Sequence, residues 1–174
     1  MMGAGKSSVG LCLQRRTGLA LIDTDEMVTS LLRMSISQIF AKYGENKFRE
    51  AETEALRSVP GTEQRIIVTG GGIVLRKKNV EIIKKLGVVV WLDADEETLF
   101  ARASKGRNRP LLLTKSPARA FSRILNARMP LYSSVADIRV DTSVLTDHEV
   151  AIAILSKLKN VNPFPGSPGP LTTP

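Results

Sequence analysis

Cysteine and histidine are nearly absent from this chain, with one of each, Cys12 and His148, among 174 residues. A lone cysteine closes no internal disulfide, and one Cys with one His excludes a Cys/His zinc centre. His148 falls inside a helix-capping pattern and reads as surface structure, which leaves no base for a Ser-His-Asp nucleophile; Cys12 reads as a small core residue. Aromatics make up only 5% of the chain. Phe40, Tyr43, Phe100 and Phe121 fall at apolar-face spacing in helical patterns, so no stacking platform for bases is left and nucleic acid is not an expected partner. No apolar run approaches the roughly 20 residues that cross a bilayer, and no membrane partner is expected. With no basic-then-apolar leader either, the expected location is the cytoplasm. Acids are outnumbered by bases, 17 to 25, giving a net charge of +8 and a pI near 9.9; anionic partners follow, nucleotides among them.

What is present alternates helix and strand, which predicts an α/β fold with a parallel sheet covered on both faces. Val9, Cys12 and Leu13 share a helix face up to Gly18, and Leu19 to Ile22 reads as a strand ending at Asp23 and Asp25. Ile36, Ile39, Phe40 and Tyr43 follow helical spacing as far as Gly44, and a second helix carries Phe48, Ala51, Ala55 and Leu56. Strands are expected at Arg65 to Thr69, Val88 to Leu92 and Ile138 to Val140. Further helices are expected over Asn79 to Leu86, after Asp95, from Ser116 and Pro117, and behind a Thr146/Glu149 capping box. One domain spans residues 1–161. Residues 162–174, NPFPGSPGPLTTP, have the Pro/Gly composition of a disordered tail.

Gly3-Ala4-Gly5-Lys6-Ser7-Ser8 matches the second half of G-x-x-x-x-G-K-[ST]. In such loops backbone N–H groups cradle phosphates, the lysine reaches the β and γ phosphates, and the Ser/Thr hydroxyl ligates Mg²⁺. The predicted ligand is therefore a nucleoside triphosphate with Mg²⁺. Asp23 and Asp25 put two carboxylates where a strand ends. One suits a metal shell and the other the acceptance of a proton from a hydroxyl; a helix cap is the plainer alternative. Gly70-Gly71-Gly72 suggests close approach of backbone to a ligand. Arg128 falls on the apolar face of its helix with Phe121 and Ile124, so it points inward and needs an anion. Arg49 lies three residues before Glu52, close enough for an i, i+3 pair. In the basic loop SKGRNRPLLLTKSP, Arg109 is a candidate lid cation for phosphoryl transfer, and Arg102 is a candidate neighbour of the base.

Taken in order, G-A-G-K-S-S, D-T-D, G-E-N-K-F-R-E-A-E, T-G-G-G, R-N-R-P-L-L, A-R-M-P-L-Y and A-D-I-R-V-D-T closely resemble shikimate kinase, from Met2 to about residue 158. The resemblance implies a three-layer P-loop kinase fold with a five-stranded parallel sheet. It implies transfer of the γ phosphate of ATP to the 3-hydroxyl of shikimate, with Mg²⁺ as cofactor and ATP and shikimate as partners of a monomer. By position it makes Gly3 to Ser8 the phosphate cradle, Ser7 and Asp23 the Mg²⁺ ligands, Lys6 the contact to the transferring group, and Asp25 the base and hydroxyl ligand. Arg49 and Arg128 correspond to the pair that holds the shikimate carboxylate, Gly71 and Gly72 to backbone contacts with the ring hydroxyls, and Arg109 and Arg102 to the lid and base-flanking arginines. Substrate-binding helices are expected at about 29–60 and a lid at about 103–116.

The chain departs from the pattern at several places. Ser143 to Thr146 replace an arginine and proline often offered to adenine, Arg33 stands where a glycine is common, and Ser134 replaces a frequent glutamate. The family's first strand, which lies in the middle of its sheet, has no counterpart upstream of Gly3. Two other readings stay open at this level: a relative that binds nucleotide or shikimate without turnover, and a kinase of another hydroxy acid such as gluconate.

Overall fold

The computed structural model describes residues 1–61, 63–105 and 110–161. In chain order it contains α1 (Lys6–Thr17), β1 (Ala20–Asp23), α2 (Thr24–Leu32), α3 (Ile36–Arg57), β2 (Arg65–Val68), α4 (Lys77–Leu86), β3 (Val90–Asp93), α5 (Glu96–Ser104), α6 (Pro117–Val135), β4 (Ile138–Asp141) and α7 (Asp147–Leu158). Two single 3-10 turns, Ile73–Leu75 and Pro110–Leu112, interrupt the connections.

The caps follow from local chemistry. Gly18 ends α1 in the left-handed region at φ 70°, its N–H on the Gln14 carbonyl, and Asp95 accepts from the Thr98 N–H at the start of α5. Thr146 and Glu149 form the expected capping box on α7. Ser35 and Gln38 make a second box on α3. At Gly44 the backbone leaves helical geometry (φ 76°, ψ 176°), so α3 is two helices joined at a kink, as the apolar spacing predicts. The C-cap of α2 is Arg33, at φ 50° the one left-handed non-glycine among the described residues. That geometry explains why a glycine would suit the position better.

All four expected strands form, each within two residues of the reading. β1 pairs with β2 in parallel from Ala20↔Arg65 to Asp23↔Val68, and β3 pairs with β4 in parallel from Val90↔Ile138 to Asp93↔Asp141. Among the described residues the two ladders are separate sheets. Between them lies a cavity of about 200 Å³, lined by Ile67 and Thr69 on one side and Val88 to Leu92 on the other, with Met1 also on its wall. α1 packs on β1, β2 and α7, while α4 packs on α3.

The main core runs from Met1, Met2 and Val9 through Leu92 and Leu99 to Phe121 and Ile154. A second, smaller core holds Val28, Ile39, Phe48, Ala51 and Ala55 beneath α2 and α3. Burying Val, Ile, Leu and Phe side chains of this kind stabilises by roughly 1.5–3 kcal/mol each.

Three readings need correction. Residues 24–32 form a helix, because Asp23 closes β1 and also caps α2 through the Asp25 N–H at 2.9 Å; the helical stretch over the site thus begins at Thr24 and not near residue 29. Tyr43 is 48% exposed, since the kink at Gly44 turns it away from the small core, and Lys42 sits over its ring instead. Cys12 is only half-buried. The tail 162–174 and the lid residues 106–109 lie outside the described residues.

Candidate active site

A cleft of about 730 Å³ opens at the carboxyl ends of β1 and β2. On its walls stand Gly3, Gly5, Lys6, Ser7, Ser8, Asp23, Asp25, Arg49, Glu52, Gly70, Gly71, Gly72, Arg102 and Arg128. Every described candidate except Ala4 therefore faces one space. Ala4 is fully buried, so what it offers a ligand is its backbone.

The loop 3–8 is shaped by steric necessity. Gly3 (φ 81°) and Gly5 (φ 79°) are both left-handed, and a Cβ on Gly3 would run into the Leu99 carbonyl. α1 then starts at Lys6 with no acid in its first turn. No side chain caps the N-terminus of α1 at Gly5, and a helix start of this kind attracts phosphate through its N–H groups and dipole. Lys6 Nζ donates to the Met1 carbonyl at 2.8 Å, which holds the ammonium over the loop. Ser7 Oγ donates to Asp23 Oδ2 at 3.4 Å. A hydroxyl and a carboxylate this close are oxygen donors of the kind that would suit a hard divalent cation such as Mg²⁺.

The opposite wall is built from charge. Arg49 is 6% exposed; its Nη1 donates to Glu52 at 2.6 Å, and its Nε and Nη2 donate to Glu45 at 3.1 and 2.7 Å. Burial would lower the guanidinium pKa, but Glu52 and Glu45 carry it upward on balance. Glu52 is fully buried. Burial raises its carboxyl and nearby Asp25 adds to this, opposed by Arg49 and Arg128. Arg128, also 6% exposed, projects from the buried face of α6 as its spacing predicts. Thr53 Oγ1 links the elements of this wall, lying 2.9 Å from the Arg49 carbonyl and 2.8 Å from Oδ1 of the buried Asn79 of α4, with its one hydrogen shared between them.

The triple glycine makes room for these groups. A Cβ on Gly70 would come within 2.8 Å of both Asp25 and Glu52 carboxylate oxygens, and one on Gly72 would overlap the Arg49 guanidinium. Gly72 is thus needed first for Arg49 to cross the turn, a role its sequence position does not reveal. Arg102 reaches across to the turn after β4, donating to Thr142 Oγ1 at 3.2 Å and to the Thr142 and Ser143 carbonyls at 3.0 and 3.2 Å. It fixes the segment that departs from the family pattern, whose Leu145 to Asp147 line the same cleft. Arg109 lies outside the described residues.

Two residues gained importance only from the structure. Asp147 stands beside Gly5, and Tyr132, four positions after Arg128 and on the same helical face, reaches Gly71. The i+4 spacing from Arg128 is a signal that could have found Tyr132.

A glycine loop opening a helix, acids at the next strand end and buried arginines across a shared cleft, on parallel α/β ladders, define a P-loop kinase that acts on a small anionic substrate. The comparisons narrow this. Residues 2–159 match the family model described as shikimate kinase. The chain is 39% identical to the shikimate kinase of Thermodesulfovibrio yellowstonii, over 92% of each chain, and 39% identical to that of Geobacter sulfurreducens, over 88% of this chain and 84% of the other. Among solved structures, the shikimate kinase of Acinetobacter baumannii in complex with shikimate superposes with a TM-score of 0.87 at 33% identity, covering 91% of this chain and 89% of that one. The Aquifex aeolicus enzyme gives 0.80 at 34%, over 92% and 93%. The chain belongs to the shikimate kinase family.

Proposed function

We propose that this protein transfers the γ-phosphoryl group of ATP to the 3-hydroxyl of shikimate, giving shikimate 3-phosphate and ADP. The observation that carries the reading is the shared cleft, in which a phosphate loop, a carboxylate and two buried arginines face one another in a chain of this family.

Each residue has a distinct task. The backbone of Gly3 to Ser8 holds the phosphates, and Lys6 turns from the Met1 carbonyl to the transferring group. Ser7 and Asp23 would hold Mg²⁺, which would offset phosphate charge. Asp25 orients the acceptor hydroxyl and takes its proton as the bond to phosphorus forms. Arg128 and Arg49 grip the substrate carboxylate; because Glu52 and Glu45 already orient Arg49, little side-chain freedom is lost on binding. The backbone at Gly71 and Gly72 meets the ring hydroxyls. Arg102 flanks the base, and Arg109 supplies a cation for the nucleotide phosphates. The protein works as a cytoplasmic monomer.

The direct test is a coupled assay for ADP release with Mg-ATP and shikimate. Shikimate-dependent release is expected, with Asp25→Asn lowering kcat by about 100-fold or more, in the range of a positioned general base. Release that does not depend on shikimate would overturn the substrate assignment.

A further inference from the structure

We infer that Glu52 accepts a hydrogen bond from the substrate hydroxyl next to the one that Asp25 orients, which makes it a specificity-determining residue of the site. On shikimate that neighbour is the 4-hydroxyl. The inference rests on the reading above and gives Glu52 a task beyond holding Arg49.

Glu52 is fully buried on α3 and still lines the cleft. Its two carboxylate oxygens have different surroundings. Oε2 takes the Arg49 Nη1 donor at 2.6 Å, whereas Oε1 is buried and has no hydrogen-bond partner among the described residues. Oε1 also has a definite place. It lies 2.8 Å from the point where a Cβ on Gly70 would stand, and Asp25 Oδ1 lies 2.8 Å from the same point. The two oxygens, one from α3 and one from α2, are therefore no more than twice that distance apart. Glycine at 70 keeps the space between them open just beyond the end of β2.

A buried carboxylate oxygen without a donor is costly, and a ligand that brings one removes the cost. The donor must stand beside the group that meets Asp25. Two hydroxyls on adjacent ring carbons meet this condition, because the ring holds them a short, fixed distance apart. When one reaches Asp25, the next lies within reach of Oε1. The grip of Arg49 on Oε2 keeps Oε1 from swinging away, so a substrate without the second hydroxyl leaves it bare. A site built to pair a substrate hydroxyl rejects strongly the analogue that lacks it. The pair of oxygens thus selects a vicinal diol over a hydroxy acid with one isolated hydroxyl.

Steady-state kinetics on the full chain with shikimate and its 4-deoxy and 5-deoxy analogues test this. On the unaltered protein, loss of the 4-hydroxyl should lower kcat/KM by about 100-fold and loss of the 5-hydroxyl by less than about tenfold. Equal losses, or a 4-deoxy analogue used as well as shikimate, overturn the inference without any variant. Glu52→Gln keeps the shape and removes the charge, and the 4-deoxy penalty should then shrink to about tenfold or less. An analogue with its carboxylate reduced to an alcohol separates the two tasks of Glu52. If Glu52→Gln weakens discrimination against that alcohol and leaves the 4-deoxy penalty at full size, Glu52 acts only through Arg49 and the inference fails. All these failures leave shikimate-dependent turnover, and with it the kinase reading, intact. No shikimate-dependent turnover by the unaltered protein ends both.

Discussion

The two walls of the cleft are held in place by different means. The donor wall, Gly3 to Ser8, is a backbone object: two left-handed glycines lead into a helix start whose N-cap has no side-chain hydrogen bond. The acceptor wall is a side-chain object, in which Arg49, Glu52, Glu45, Thr53 and Asn79 are interlocked and each glycine of the 70–72 turn clears a charged or polar neighbour. A phosphate is a symmetric anion that any fan of N–H groups satisfies, whereas an asymmetric carboxylated alcohol needs directional charges fixed in advance. The walls should therefore fail differently.

The largest effect is expected on the donor wall. Gly3→Ala forces a side chain into left-handed backbone and against the Leu99 carbonyl; ATP binding by titration calorimetry should weaken by about 100-fold or more. If ATP still bound within a few-fold of normal, backbone geometry would not be what builds that wall. On the acceptor wall Gly72→Ala should displace Arg49, raise KM for shikimate by about tenfold, and leave ATP binding alone. Equal losses for both substrates would erase the distinction between the walls.

A pH effect sharpens the comparison further. Folding raises the Glu52 carboxyl above its ordinary value of 4.5, so the folded state holds that proton more tightly than the unfolded chain. The stability this contributes is complete below the unfolded value and is lost as pH rises through the folded one. Melting curves from about pH 4 to about pH 7 should show the unaltered protein losing Tm relative to Glu52→Gln. A difference that stays flat with pH would mean that folding does not shift Glu52. The smallest effect lies away from both walls: Arg33→Gly, relieving the left-handed cap of α2, should raise stability by about 0.5–1 kcal/mol in urea unfolding and leave the kinetics untouched.

Features confined to one segment were legible in advance. The four strands, the caps at Gly18, Asp95 and Thr146, the kink at Gly44 and the inward direction of Arg128 each depend on local spacing or a local hydrogen bond. α2 was legible only as an alternative, because Asp23 both ends a strand and caps a helix and no connecting residues separate the two. The need for Gly72 was hidden for another reason: it arises where the β2 turn crosses a side chain from α3, and sequence distance says nothing of that crossing. Tyr132 was hidden among motif residues whose purpose appears only once Gly71 is placed beside it.

The small core under α2 and α3 has a consequence for the order in which the molecule opens. Its buried residues, Val28, Ile39, Phe48, Ala51 and Ala55, form a cluster of their own, and the helix above it is already broken at Gly44. Such a patch can lose its structure without the main core paying for the loss. Native-state amide exchange should report it as a separate cooperative unit, with α2 and residues 36–43 exchanging at lower free energy than α1 or α6.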